Sequence, residues 1–368
     1  MKLFAGRFRY AVFSVIFLLI MLLATIIAFE VAIPRIFGKW WPSINIVSNP
    51  DHRMTQEQYD DVNIDGIRSA LDADAFRDED FNIIVLGDSF VYGMLLGRQD
   101  TIPYRLEELA HAAGYNNVRV INFGWISSSP YLSLRLLRDI GKKYKPDLVI
   151  EVVDMTDFWD DTFYRRAVER RGFFAIGHWF PATSMLLGKW GREIIRQEWY
   201  SQALWGVPWQ RYFAMERPLD QTRSYLDAVV SNLDETERYV TDVLQARFMV
   251  FVMPRSVQYS ERETPDDHND EYTRLGPYSL EPFRYFADIA PGKSYPVISL
   301  LDDFRHTTVF PLTFEHDPHH TSAGNKESAR FIWERLQQQG VLPRPQMPMP
   351  AGTTSRQLVW VGLAGNIH

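Results

Sequence analysis

The chain opens on an unbroken apolar run. Ala11 to Phe29 reads AVFSVIFLLIMLLATIIAF, nineteen positions without a charge. As a helix this run is about 28 Å long, close to the hydrocarbon thickness of a bilayer. Lys2, Arg7 and Arg9 precede it, which predicts a cytoplasmic N-terminus and an exported body, periplasmic or extracellular. The run exceeds the ~7–15-residue core of a cleaved signal peptide, and no A-x-A site follows. Residues 1–33 are therefore read as a short cytoplasmic stub and an uncleaved signal-anchor crossing the cytoplasmic membrane once. Phe37, Trp40 and Trp41 fall where an interfacial aromatic belt is expected, and residues 34–80 read as a polar, irregular extracytoplasmic arm.

From residue 81 the pattern changes to short apolar runs alternating with amphipathic stretches. Phe81–Leu86, Val118–Phe123, Asp147–Val153, Phe248–Met253 and Val297–Leu301 have the length and near-continuous apolarity of strands buried on both faces. Between them, Thr101–Ala113 has a Thr cap, Pro103 in its first turn and Gly114 beyond its end, the punctuation of a helix. Tyr131–Tyr144, Leu219–Gln245 and Ala323–Gln339 read as further helices. This alternation predicts an α/β domain over 81–342 with a mostly parallel sheet and helices on both faces. Chemistry is then expected at the carboxyl ends of the strands. Residues 158–218 interrupt the rhythm and read as an insertion. It holds Trp159, Trp179, Trp190, Trp199, Trp205 and Trp209 among Arg165, Arg166, Arg170 and Arg171. Residues 343–368 begin Pro-rich and read as an extended tail.

Composition narrows the function classes. A net charge of −7 argues against nucleic acid as the main partner. The absence of cysteine excludes disulfides, thiolate metal sites and a cysteine nucleophile. The sequence has 11 Trp, 24 Phe and 17 Tyr, and six of those tryptophans lie in the one insertion. It reads as a helical subdomain core, a lid, a membrane-surface element or a protein interface.

The candidate chemistry sits in two distant segments. Leu86-Gly87-Asp88-Ser89-Phe90 places a serine just past a buried strand, where a helix N-terminus exposes the hydroxyl and offers backbone N–H groups to an oxyanion. Far downstream, Asp317-Pro318-His319-His320-Thr321-Ser322-Ala323-Gly324 precedes the last helix. An Asp two residues before a His can hold the imidazole and fix its tautomer. Ser89, His319 and Asp317 together supply nucleophile, base and orienter. The H-D-x-H-H spacing around His316, Asp317, His319 and His320 suits no common metal site, so neither metal nor cofactor is expected. Asp157, Asp160 and Asp161 read as a solvated loop, Asp88 as a structural hydrogen-bonding residue, and His320 as facing solvent or packing beside the site.

In these residues the sequence resembles the GDSL/SGNH hydrolase superfamily, in particular its membrane-anchored bacterial members. Gly87-Asp88-Ser89-Phe90 resembles the first block, with Ser89 as nucleophile. Asn122-Phe123-Gly124 resembles the second, whose glycine supplies an oxyanion N–H, and Asp317-x-His319 matches the last. Asn63-x-x-Gly66-Ile67-Arg68 is similar to a segment that often precedes the first block. The resemblance implies a flavodoxin-like three-layer sandwich carrying the Ser89–His319–Asp317 triad. Its oxyanion hole would be built from Ser89, Gly124 and the residue at position 156. That position departs from the family: Val153-Asp154-Met155-Thr156-Asp157 puts Thr156 where an asparagine is usual. Ser127-Ser128-Ser129 also stands where a further glycine is often found.

Two functions follow as expectations. One is a membrane-anchored serine esterase or O-acyltransferase, acting on acylated, for instance acetylated, glycans or small esters. The other is a non-catalytic accessory subunit of a membrane-protein complex, docking through its helix, residues 158–218 and residues 343–368.

Overall fold

The computed structural model describes residues 2–37, 61–169, 171–177, 179–263 and 276–344. Trp40, Trp41 and the tail from 345 onward, which carry the belt and linker expectations, lie outside these residues. Helix α1 (Lys2–Phe37) contains the apolar run, and its Val12–Ile33 segment is long and apolar enough to cross a membrane.

Five strands form one sheet: β1 (Phe81–Gly87), β2 (Val118–Gly124), β3 (Leu148–Val153), β4 (Arg247–Val252) and β5 (Val297–Ser299). Their order is β2-β1-β3-β4-β5 and every neighbouring pair is parallel. This is the flavodoxin-like order, with its topological switch point between β1 and β3. Along β1 the side chains alternate between two cores, as the strand period of two requires. Ile83 and Val85 face one helical layer, Ile84 and Leu86 the other. All four are fully buried, each worth about 1.5–3 kcal/mol relative to exposure.

The first layer contains α3 (Ile102–Ala112) and the closing helix α15 (Ser322–Gln338), through Leu106, Ala110, Phe331 and Ile332. The second contains α4 (Pro130–Ile140), α5 (Asp157–Val168) and α11 (Leu219–Tyr239), through Leu136, Phe158, Leu226 and Leu233. Thr101 caps α3 by accepting from the Tyr104 N–H, as its sequence punctuation predicts. Between β4 and the closing helix come α12 (Ser256–Tyr259), α13 (Glu281–Ile289) and α14 (Leu301–His306).

Three segments differ from expectation. Residues 61–80 are part of the domain rather than a free arm: Asn63, Ile67, Arg68 and Phe76 are buried. Residues 158–168 belong to α5 in the core layer, because Phe158, Trp159 and Phe163 pack into the main core cluster. The extra material follows α5 as short helices: α6 (Phe173–Gly177), α7 (Pro181–Met185), α8 (Gly191–Ile195), α9 (Glu198–Trp205) and α10 (Phe213–Glu216). Finally, a two-stranded antiparallel hairpin, β6 (Thr313–Phe314) and β7 (Asp317–His320), precedes α15.

Candidate active site

β1 ends at Gly87, and the chain turns at once into the single-turn helix α2 (Ser89–Tyr92). Asp88 is its cap, accepting from the Phe90 N–H at 2.9 Å. Ser89 thus sits at a helix start, at the switch point of the sheet. As the first helical residue, its N–H has no intrahelical acceptor. The β7 strand brings the second segment over it. His319 Nε2 lies 2.7 Å from Ser89 Oγ, and His319 Nδ1 meets Asp317 Oδ1. The same carboxylate oxygen accepts the His319 backbone N–H at 2.9 Å. Burial alone would raise Asp317, but these His319 contacts hold it below the ordinary carboxylate range. The three groups form one hydrogen-bonded chain from carboxylate to hydroxyl, the geometry that lets an imidazole take a serine proton.

His320 points the other way. It is buried, its ring packs against Phe90 and Phe304, and Nδ1 lies 3.2 Å from Ser328 Oγ. Burial, then the nearby Arg255 charge, push its pKa down to about 3, so it remains neutral packing.

Two of the three expected oxyanion donors, Gly124 and Thr156, are engaged elsewhere. The Gly124 N–H bonds Asn122 Oδ1 at 2.9 Å, and Asn122 Nδ2 donates to the Val91 carbonyl at 3.0 Å. Gly124 is needed for space: a Cβ there would come within 2.4 Å of the Tyr92 nitrogen, so the glycine lets α2 lie against β2. Thr156 spends both donors on Asp154, its N–H at 2.8 Å and its hydroxyl at 2.6 Å. The glycine missing from 127–129 leaves its mark on the backbone. Ser127 has φ +58°, the left-handed backbone that favours glycine. The serine run at 127–129, standing where a glycine is often found, was the available signal.

Below α2 lies a buried charge network. Arg255 donates from Nη2 to Asp154 Oδ1 at 2.6 Å, and its guanidinium sits 4.5 Å from the Phe90 ring centre. Burial would raise Asp154, but Arg255 holds it below the ordinary range. Asp88 and Asp157 are raised by burial and by neighbouring carboxylates. Asp157, Asp160 and Asp161 are therefore not a solvated loop. All are buried on α5, where Arg211 pairs with Asp160 and Asn232 Nδ2 bonds Asp161 at 2.7 Å. Among the described residues no cluster of metal-ligating side chains occurs.

These burials set a pH dependence. Burial lifts Glu151 to about 8, Asp160 to about 6 and Asp161 to about 7, each above its unfolded value. Their stabilising protons are fully bound in weak acid and are lost as pH rises through the folded pKa values. His320, lowered, works in the opposite sense below about pH 6.5, one group against these three and the likewise raised Asp88 and Asp157. The urea midpoint is therefore expected to fall between about pH 5 and about pH 8, and Glu151→Gln to flatten the upper part of that slope. A midpoint that climbs over the same range would contradict the assignment.

Arg68, from the segment before β1, clamps the far end of α2. It donates to the carbonyls of Tyr92 at 2.8 Å, Gly93 at 2.9 Å and Leu96 at 2.5 Å, and to Asp61 at 2.6 Å. Arg68→Ala is expected to cost about 1.5–3 kcal/mol in a denaturation curve. It should also lower kcat more than it changes KM, because Ser89 rides on the clamped turn. Arg68→Lys should recover only part of this, lacking the planar fork. Unchanged stability and kcat would count against the clamp.

No protein-family model and no curated protein matches the sequence. Among solved structures the chain is similar to a lipase/acylhydrolase from Enterococcus faecalis, at 14% identity and TM-score 0.41, over 73% of this chain and 100% of that one. It is also similar to an acetylxylan esterase from Geobacillus stearothermophilus, at 14% identity and TM-score 0.38, over 70% and 94%. A third is a psychrotrophic esterase from Pseudoalteromonas, at 12% identity and TM-score 0.36, over 71% and 98%. The fold itself stands on the strand order and register described above: a parallel, flavodoxin-like sheet between two helical layers, with an N-terminal apolar helix.

Proposed function

We propose that the protein is a membrane-anchored, extracytoplasmic serine enzyme of the SGNH type that cleaves or transfers the acyl group of an ester. The observation carrying this reading is the 2.7 Å contact between Ser89 Oγ and His319 Nε2, with Asp317 on the other ring nitrogen. Ser89 Oγ attacks the ester carbonyl as His319 Nε2 takes its proton, and the carbonyl oxygen becomes an oxyanion facing the Ser89 N–H. Collapse expels the alcohol, which receives the proton from His319, and leaves an acyl-serine. Water, or an acceptor hydroxyl, then attacks with His319 again as base, releasing the acid or the new ester and restoring Ser89. Asp317 stabilises the imidazolium throughout.

Full-length protein in mild detergent is expected to hydrolyse p-nitrophenyl acetate, and to do so through Ser89. An inactive wild type that binds stoichiometrically to a membrane protein, with Ser89→Ala binding equally well, would instead support an accessory subunit. One observation favours that second reading: the donors of Gly124 and Thr156 are already bonded within the chain, and an oxyanion donor missing from the hole costs about 2.7–4 kcal/mol.

A further inference from the structure

The short helices after α5 do not stand apart from α1. Along its last turns Ile26, Phe29, Glu30 and Ile33 are half-buried, while Ala24, Ile27, Ala28, Val31 and Ala32 are exposed. The half-buried set follows the i, i+3, i+4, i+7 spacing of one helix face. Helix α7 packs against α1. The Glu30 carboxylate accepts the Ala182 N–H at 2.8 Å and the Thr183 N–H at 2.7 Å. It thereby satisfies first-turn donors of α7 that have no acceptor in their own helix.

The apolar segment runs to Ile33, so Glu30 lies three residues, about 4.5 Å along the axis, before its end. If α1 spans a bilayer, α7 begins at the level where hydrocarbon gives way to headgroups. An open N–H there would be costly, and the carboxylate removes both that cost and part of its own.

The aromatic residues of α5 and the short helices after it divide into two sets. Trp159, Trp205 and Trp209 pack around the Arg192 guanidinium, with ring centres 4.6–5.1 Å away. They form its inner, packed side. Trp179, Leu187, Ile194 and Trp199 remain exposed, Ile194 at 81% and Trp199 at 64%. Arg196 is exposed beside them. Outside α1, large exposed apolar side chains concentrate in this stretch. An aqueous surface gains nothing from them, whereas Trp, Leu and Ile with flanking arginine suit the headgroup boundary.

We propose that residues 179–199 form an interfacial element lying on the lipid surface of the bilayer that α1 crosses, with Glu30 joining the two. The inference rests on the membrane-anchored reading, and its partner is lipid, not protein.

The chain has no cysteine, so single-cysteine variants carry one label each. Leu187→Cys, Ile194→Cys and Trp199→Cys replace exposed side chains, where substitutions are expected to shift stability little. Each full-length variant would carry an environment-sensitive NBD probe and be placed in phosphatidylcholine nanodiscs with or without doxyl-labelled lipid. Leu19→Cys in α1 marks the anchor, and Lys326→Cys on α15 marks a water-exposed site. The expected result is blue-shifted emission and several-fold stronger doxyl quenching at 19, 187, 194 and 199 than at 326. Adding Glu30→Leu should reduce quenching at 194 while leaving 19 unchanged. Strong quenching at 19 with water-like emission at 187, 194 and 199 would overturn the inference and leave the anchor standing. Weak quenching at 19 would overturn both. Shielding that appears only when a membrane-protein extract is added would assign the surface to a protein and also overturn it.

Discussion

Replacing Ser89 by alanine is expected to lower ester hydrolysis by about 10⁶-fold, the scale of losing a triad nucleophile. The reason is local. Among the described residues, only Ser89 places its hydroxyl within 2.7 Å of an imidazole nitrogen whose other nitrogen is held by a carboxylate. His319→Ala should cost about as much, and the double variant little more than either, because nucleophile and base act as one unit. Asp317→Asn should keep the fold but cost about 10⁴-fold, since an amide favours the wrong imidazole tautomer. Additive losses in the double variant would show that the two residues do not share one step.

Replacing Arg255 by methionine is expected to destabilise the domain by about 3–5 kcal/mol, read from a urea midpoint. Arg255 and Asp154 are 3% and 1% exposed, and their ion-pair contact is 2.5 Å. Removing the cation strands a buried carboxylate beside Asp88 and Asp157, which are themselves raised by burial. Asp154 would then have to take up a proton or draw in water. Adding Asp154→Leu to Arg255→Met should recover most of the loss, because a buried pair is worth little over an apolar replacement while half a pair is costly. If the double variant is as unstable as the single, the guanidinium acts mainly through its contacts with Phe90 and Tyr212.

The strands and long helices were legible because buried parallel strands are nearly all apolar and α3 carries its own cap and stop signals. The segments that bring Ser89, His319 and Asp317 together were legible because Ser89 and His319 sit in short motifs at element boundaries. Other features depend on distant partners. Asp160 and Asp161 look like a solvated loop until Arg211 and Asn232, more than fifty residues away in the chain, are folded against them. The β6–β7 hairpin, Thr-Phe-Glu-His-Asp-Pro-His-His, has no apolar alternation, and its pairing alone makes it a strand pair. The tryptophan-rich stretch gave no hint that Arg192 gathers three of its rings, nor that Glu30 caps one of its helices. The donor engagement of Gly124 and Thr156 also follows from side-chain rotamers that no motif encodes.

Whether Ser89 is an activated nucleophile is read most simply by covalent capture. Purified full-length protein in mild detergent would be treated with a fluorophosphonate at neutral pH, then examined by intact mass and peptide mapping. One adduct per chain is expected, on Ser89, absent from Ser89→Ala and from His319→Ala. A folded wild-type chain that acquires no adduct, or one whose adduct maps away from Ser89, would contradict it.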